Sequence, residues 1–198
     1  MRLDLLRHGD TGRAGYLDGS TDSPLSNVGI LQMERQTARG GWPLVIASPL
    51  QRARRPAEML ARVQACQLVI DPNWAEIDFG QWDGRPRVDI EADRGDRSLL
   101  ASYYDDPQRL TPPGGEHWAA FERRVRAALA DAYVRSAGQP TLVITHAGPI
   151  RMALATILGL PLQSLWAVRL GYATRIELDV GREDDGTFWG ELVEIVQP

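Results

Sequence analysis

The chain has 198 residues, 43% hydrophobic and 24% charged, and a formal net charge of −4. That length suffices for one domain with a buried core, and the acidic balance argues against a surface built to grip nucleic acid or an anionic membrane. All 22 basic residues are arginine, so neither a lysine Schiff base nor a P-loop lysine is available.

Arg2–Leu6 is too short for a helix and is followed closely by Gly9, which predicts a buried strand. Residues 12–23, GRAGYLDGSTDS, read as a glycine- and polar-rich loop. In PLSNVGILQMERQTARG (24–40), Ser26 is the candidate N-cap of a helix, Leu25 and Ile30 its hydrophobic staple, and Gly40 its stop. PLVIAS (43–48) is a second buried strand. Residues 51–63 are helical in composition, but Pro56 withdraws a backbone donor and presses on the carbonyl of Arg52, so a kink or restart is expected. Cys66 is the single cysteine and has no partner for a disulfide; with no signal-peptide pattern at the start, the expected setting is the reducing cytoplasm. No run approaches the ~18 apolar residues of a membrane helix.

QLVID (67–71) is a third short strand. Residues 73–115 are rich in Gly, Pro and Asp and read as irregular, with two short helices. From 116 to 134, Trp118, Phe121, Val125, Ala128 and Ala132 share one helical face. TLVITH (141–146) is a fourth strand, followed by a helix, AGPIRMALATIL, that Gly159 closes. Residues 173–180 and 188–196 end the chain as strands around the turn GREDDG, in which Glu183, Asp184 and Asp185 are solvated. Strands alternating with helices predict an α/β layer fold with a mostly parallel sheet.

His8 then lies just past the carboxyl end of the first strand, His146 at that of the fourth, and Arg52 a few residues beyond the second. In an open parallel sheet such ends converge on one crevice. The Gly or Ala after each histidine is read as leaving room for a ligand to approach the backbone. Two guanidinium groups, Arg7 and Arg52, suit a phosphate held by paired, charge-assisted hydrogen bonds. Neighbouring cations keep His8 neutral, hence nucleophilic. Phosphoryl transfer by positioning and charge compensation needs no metal here. Glu76, just after the third strand, is the candidate proton donor, with Asp78 and Asp83 as competitors; a donor here needs a raised pKa in the substrate complex.

These segments resemble the histidine phosphatase superfamily, the phosphoglycerate-mutase-like enzymes. LRHGDT (6–11) resembles its RHG signature, and SPLQRA (48–53) its second-arginine segment. Glu76 with Asp78-Phe79-Gly80 and Trp82-Asp83-Gly84 resembles the acid-bearing loop. PGGE (113–116) resembles the start of the long helix, and THAG (145–148) the second-histidine segment. The resemblance implies a three-layer α/β/α sandwich over residues 1–198, a single domain with a lid segment at about 77–115. It implies catalytic His8, Glu76 and His146, with Arg7, Arg52 and Thr11 binding a small phosphate monoester, and no metal or cofactor. Within the superfamily, TPPGGE (111–116) and SLWAVRL (164–170) resemble the α-ribazole phosphatase group, which implies α-ribazole 5′-phosphate as substrate and a role in cobalamin synthesis. Alternatives are a phosphoglycerate mutase-type transfer, a broad-specificity phosphatase, and a non-catalytic phospholigand-binding module.

The chain departs from the family pattern at three positions. Ala14 stands where many members carry an Asn that donates to phosphate, Pro56 where Thr is common, and Asp10 where Glu or Gln is usual. His117 reads as a helix-start surface residue. Trp74, Trp82 and Trp118 read mainly as packing, or as stacking platforms for an aromatic base. Tyr103, Tyr104, Asp105 and Asp106 fall in the lid segment.

Overall fold

The computed structural model describes residues 1–38 and 40–198. Its strands are β1 (Arg2–Arg7), β2 (Leu44–Ala47), β3 (Gln67–Ile70), β4 (Thr141–Thr145), β5 (Arg175–Arg182) and β6 (Phe188–Val196). Its helices are α1 (Asn27–Thr37), α2 (Gln51–Gln64), α3 (Arg87–Ala92), α4 (Arg94–Asp105), α5 (Trp118–Ser136) and α6 (Ala147–Leu158), with short 3-10 turns at Pro72–Trp74, Gly80–Trp82 and Leu162–Ala167. Among the described residues no helix is long and apolar enough to cross a membrane.

Side chains alternate across a strand, and here both faces are apolar, so both must be covered. Leu3, Leu5, Leu44, Ile46 and Val143 pack with Phe121, Val125, Ala128, Ile150 and Leu154 of α5 and α6. Leu6, Val45, Ala47, Leu142 and Ile144 face the other way, onto Met33 of α1 and Ala53, Ala57 and Leu60 of α2. The result is the expected three-layer sandwich. The sheet runs β3-β2-β4-β1-β5-β6. Its first four strands are parallel, and β5 and β6 add an antiparallel edge. β1 and β2 flank β4, so the segments leaving all three emerge side by side.

Several boundaries differ from the sequence reading. α2 runs unbroken through Pro56. The proline lies one turn from the helix start, where only the carbonyl of Arg52 loses its partner, and the packed Ala53, Ala57 and Leu60 hold the helix to the sheet. Ser26 does cap α1, its hydroxyl accepting from Gly29 N at 3.1 Å, but the helix ends at Thr37, whose Oγ1 donates to the Met33 carbonyl at 2.9 Å. Gly40 instead leaves room for the Trp42 indole, which a Cβ there would overlap; Arg39, within the stretch expected to be helical, lies outside the described residues. α5 starts two residues later than expected, with His117 as N-cap. The 73–115 segment holds α3 and α4, and Asp93 caps α4 by accepting from Gly95 N and Asp96 N at 2.9 and 3.1 Å. β5 continues to Arg182, so the hairpin connection is residues 183–187.

Among the described residues, one fully buried strand residue is charged. Asp4 is fully buried, accepting from Trp42 Nε1 at 2.6 Å and pairing with Arg175. The pairing ties the loop before β2 to the antiparallel edge across β1. Asp4→Ala would leave the buried Trp42 indole donor without its acceptor, while Arg175 keeps Glu177 and Glu194 at 3.4 and 3.5 Å, and should lower unfolding free energy by about 2 kcal/mol, read as a fall in the urea midpoint with little change in slope.

Candidate active site

Strand register sets the site. β1 and β4 are aligned with Arg7 opposite Thr145, and β2 and β4 with Ala47 opposite Ile144. The ladder continues one step further: His8 N donates to Thr145 O at 2.9 Å, and Ser48 N to Ile144 O at 3.1 Å. His8 and His146 therefore leave adjacent strands together, with ring centres 5.1 Å apart. Above them is a cleft of about 310 Å³, lined by Arg7, His8, Thr11, Arg52 and Glu76 among others. Five of the six sequence-chosen residues thus share one cleft. His146 is the sixth; it is fully buried and lies behind the cleft wall.

Hydrogen bonds assign both rings. His8 Nδ1 is 2.8 Å from the Gly9 carbonyl, which only accepts, so Nδ1 carries the proton and Nε2 holds the lone pair. His146 Nδ1 lies 3.2 Å from Arg52 Nε, which only donates. His146 is therefore protonated at Nε2 and donates to Ser48 Oγ at 2.7 Å. Both rings are held neutral. Burial pushes the His8 pKa well below 6.5, and Arg7 and Arg52 push it further, against the opposing Gly9 bond. Burial, then Arg52, does the same to His146.

The two arginines differ. Arg52 is 1% exposed, and besides His146 it donates to the carbonyls of Thr21 (2.6 Å), Asp18 (3.0 Å) and Gly19 (3.0 Å). Four of its five N–H groups are thereby engaged. Arg7 donates once, to Leu170 O at 2.6 Å, lies over the Tyr172 ring at 4.4 Å, and keeps a buried Nε without a partner. The expected paired hold on an anion therefore falls to Arg7, while Arg52 supplies charge and one remaining donor. Burial lowers the pKa of both, with Tyr172 opposing at Arg7 and Glu76 at Arg52.

Asp83, one competitor for proton donor, is used elsewhere. Its carboxylate accepts from the amides of Gly19 (3.0 Å), Ser20 (2.6 Å) and Thr21 (2.9 Å) and from the Thr21 hydroxyl. Loop 18–21 is thus clamped between an arginine on its carbonyls and an aspartate on its amides. Asp78, the other competitor, accepts from Gly80 N at 2.8 Å in an exposed turn.

Glu76 is placed by the start of α6. Its oxygens lie 3.2 Å from Gly148 N, and Ile77 N donates to Oε1 at 3.1 Å. A helix N-terminus favours a carboxylate through its free amides and dipole. A Cβ on Gly148 would overlap Glu76 Oε1, so glycine is required at that approach. The loop carrying Glu76 is fastened by Arg124 of α5, which donates to the carbonyls of Asn73 (2.8 Å), Ala75 (2.7 Å) and Glu76 (2.9 Å) and to both oxygens of Glu116 (2.7 and 2.8 Å).

The room left by Gly9 serves packing and not a ligand: a Cβ there would meet the Gly29 backbone in α1. Asp10 ties the same loop to α1, its Oδ2 accepting from Ser26 Oγ at 2.6 Å and Gly12 N at 2.9 Å. Ala14 is exposed, while its neighbour Arg13 reaches the cleft wall and is held to Asp18 at 2.8 Å. His117 pairs with Thr111 Oγ1 at 2.9 Å, away from the cleft. Trp74 and Trp82 are buried packing; Trp118 lines the cleft. Sequence reasoning missed Arg151, Trp166 and Tyr172 on the cleft wall and Arg124 beneath it. Tyr172 and Trp166 lie in or beside the 164–170 segment, whose composition alone carried no sign of facing the first strand.

Two neutral imidazoles and a set of arginines thus meet at the strand ends of a parallel-cored α/β sandwich. The chain belongs to the histidine phosphatase superfamily (branch 1), whose family profile matches residues 3–188. It is similar to the Bifunctional protein Rv2228c of Mycobacterium tuberculosis, 35% identical over 179 residues, 87% of this chain and 48% of that protein; the chain spans about half the length of that relative. The adenosylcobalamin/alpha-ribazole phosphatase of Salmonella typhimurium is 30% identical over 185 residues, 91% of each chain. The crystal structure of the alpha-ribazole phosphatase from Shigella flexneri superposes with a TM-score of 0.82 at 26% identity, covering 98% of this chain and 95% of that one.

Two histidines buried neutral carry a linkage consequence. Between their depressed folded pKa values and the ordinary 6.5, the unfolded chain binds more protons than the folded one. Stability is therefore full above about pH 6.5 and declines as pH falls below it. Urea midpoints from pH 8 to 5 should show this decline, and His8→Phe should flatten part of it; an unchanged profile in the variant would mean His8 is not the source.

Proposed function

We propose that this protein is a metal-independent phosphomonoesterase that acts through a phosphohistidine on His8. The observation that carries the reading is the His8 tautomer, with Nδ1–H on the Gly9 carbonyl and the Nε2 lone pair left free beside the arginine-lined cleft. Nε2 attacks phosphorus, the bond to the leaving oxygen breaks, and Glu76, which takes up a proton as the phosphate's negative charge enters the cleft, gives that proton to the leaving oxygen. The positive charge that develops on the ring is supported by the Gly9 carbonyl. Water then attacks the phosphohistidine, Glu76 takes its proton, the N–P bond breaks and inorganic phosphate leaves.

Arg7 binds the phosphoryl oxygens in a paired manner, Arg52 adds charge, and Thr11 offers a hydroxyl from the cleft wall. His146 acts through Arg52, whose Nε it receives. Residues 1–198 work as one catalytic domain. The 77–115 segment, which brings Phe79, Tyr103 and Tyr104 to the cleft, serves as its lid. For the physiological substrate we favour α-ribazole 5′-phosphate: the similarity to α-ribazole phosphatases extends over nearly the whole of both chains, and aromatic walls suit a planar base.

Acid-quenched enzyme incubated with a labelled phosphomonoester should carry acid-labile, alkali-stable phosphate on His8. No label under turnover conditions would overturn the mechanism. His8→Ala should lose at least about 10⁴-fold in kcat. Glu76→Gln should lose about 10²- to 10⁴-fold on alkyl phosphates and far less on p-nitrophenyl phosphate, whose leaving group needs no proton. Gly148→Ala, by displacing the Glu76 carboxylate, should reproduce that leaving-group dependence in weaker form. A kinetic panel of α-ribazole 5′-phosphate, nucleotides, sugar phosphates and 3-phosphoglycerate tests the substrate, and isomerisation of the last would indicate a mutase instead.

A further inference from the structure

Among the described residues, Arg151 is the one cation on the cleft wall that the reaction above does not use and that no acceptor holds. It sits near the start of α6, five residues beyond His146. It makes no hydrogen bond or ion pair with any described residue, and its Nε is buried without a partner. Its guanidinium carbon stands 4.6 Å from the centre of the Trp166 ring. Trp166 meets Tyr104 edge-on at 5.7 Å, and Tyr104 meets Tyr103 at 5.6 Å. All four line the same cleft as His8. Trp118 Nε1, on that wall too, is a second buried donor without a partner.

A buried Nε–H without an acceptor is costly unless a ligand supplies one. The other cleft arginines are accounted for. Arg13 is paired with Asp18, Arg52 is nearly saturated by loop carbonyls, and Arg7 has the open donor beside His8. The phosphoryl group takes Arg7 and the last donor of Arg52, so Arg151 faces what the phosphate is attached to.

We propose that Arg151, seated on Trp166, binds an oxygen acceptor of the leaving alcohol, a sugar hydroxyl or a carboxylate, and so selects oxygen-rich leaving groups over bare aromatic ones. The proposal rests on the phosphomonoesterase reading and deepens it. Arg151 is a specificity-determining residue, and the proton that leaves Glu76 does not pass through it.

The test is steady-state kinetics of the wild type, Arg151→Gln and Arg151→Lys on ribose 5-phosphate, 3-phosphoglycerate and phenyl phosphate, with inhibition by inorganic phosphate measured alongside. The wild type should prefer at least one oxygen-bearing substrate to phenyl phosphate in kcat/KM. Arg151→Gln should lose about 10- to 100-fold on that substrate, mainly through KM. Its loss on phenyl phosphate should be at least tenfold smaller, the inhibition constant for inorganic phosphate should move little, and Arg151→Lys should recover part of the loss. A loss confined to ribose 5-phosphate identifies a hydroxyl as the acceptor, and one confined to 3-phosphoglycerate a carboxylate. Equal losses on all three substrates, no loss on any, or a wild type that prefers phenyl phosphate would each overturn the proposal. A wild type that turns over neither these three nor α-ribazole 5′-phosphate would remove the phosphomonoesterase reading, and this proposal with it; one that turns over α-ribazole 5′-phosphate alone, with no loss on it in Arg151→Gln, would overturn this proposal only.

Discussion

The site depends on one buried cation. Arg52 lies almost wholly out of water, and an isolated guanidinium in that position would be costly. It is held because carbonyls of loop 18–21 and the lone pair of His146 Nδ1 take its donors. The loop can offer its carbonyls because Asp83 takes its amides from the other side. Cation, loop and anion thus form one layered unit. It fixes the tautomer of His146, and through His146 the position of Ser48 at the end of β2. Removing any layer leaves a buried polar group of another unsatisfied.

That unit also shapes the chemistry at His8. The ring is buried between Arg7 and Arg52 in a field that opposes protonation, while the Gly9 carbonyl takes Nδ1–H and turns the lone pair outward. Neutrality and orientation thus have separate causes, and neither depends on a bound ligand. Across the cleft the same economy recurs. The start of α6 receives the Glu76 carboxylate only because Gly148 has no side chain, and Arg124 with Glu116 locks the loop that delivers it. Glu116 belongs to a stretch that looked like the beginning of a helix; it is a fastening for the loop before it.

The aromatic wall has a different origin. Tyr103 and Tyr104 belong to α4, and Trp166 to the turn after α6, more than sixty residues further on. They meet because α4 folds over the cleft on a small core of its own, formed by Leu17, Trp82, Ile90, Leu100 and Tyr103. Arg151 reaches that wall from α6, so the cleft joins the main sandwich to this smaller cluster.

Local order determined much of this protein directly. Short apolar runs separated by amphipathic stretches specify a covered, mostly parallel sheet. The chain positions of His8, Arg52, Glu76 and His146 just after strands place them at one edge, since parallel strands all end on the same side. Ser26 as a cap and the apolar face of α5 were legible because capping and helical periodicity are local properties. What local order left undecided is whatever depends on a partner distant in the chain. Pro56 could break a free helix but not one packed on a sheet. Gly9 and Gly40 make room for Gly29 and Trp42, neighbours visible only after folding. That His146 lies behind the cleft wall, that Asp83 braces a loop and that Arg124 is a clamp were settled by tertiary structure alone. A carboxylate, imidazole or guanidinium has no fixed role in the sequence; its role is set by which donors and acceptors burial brings within 3 Å.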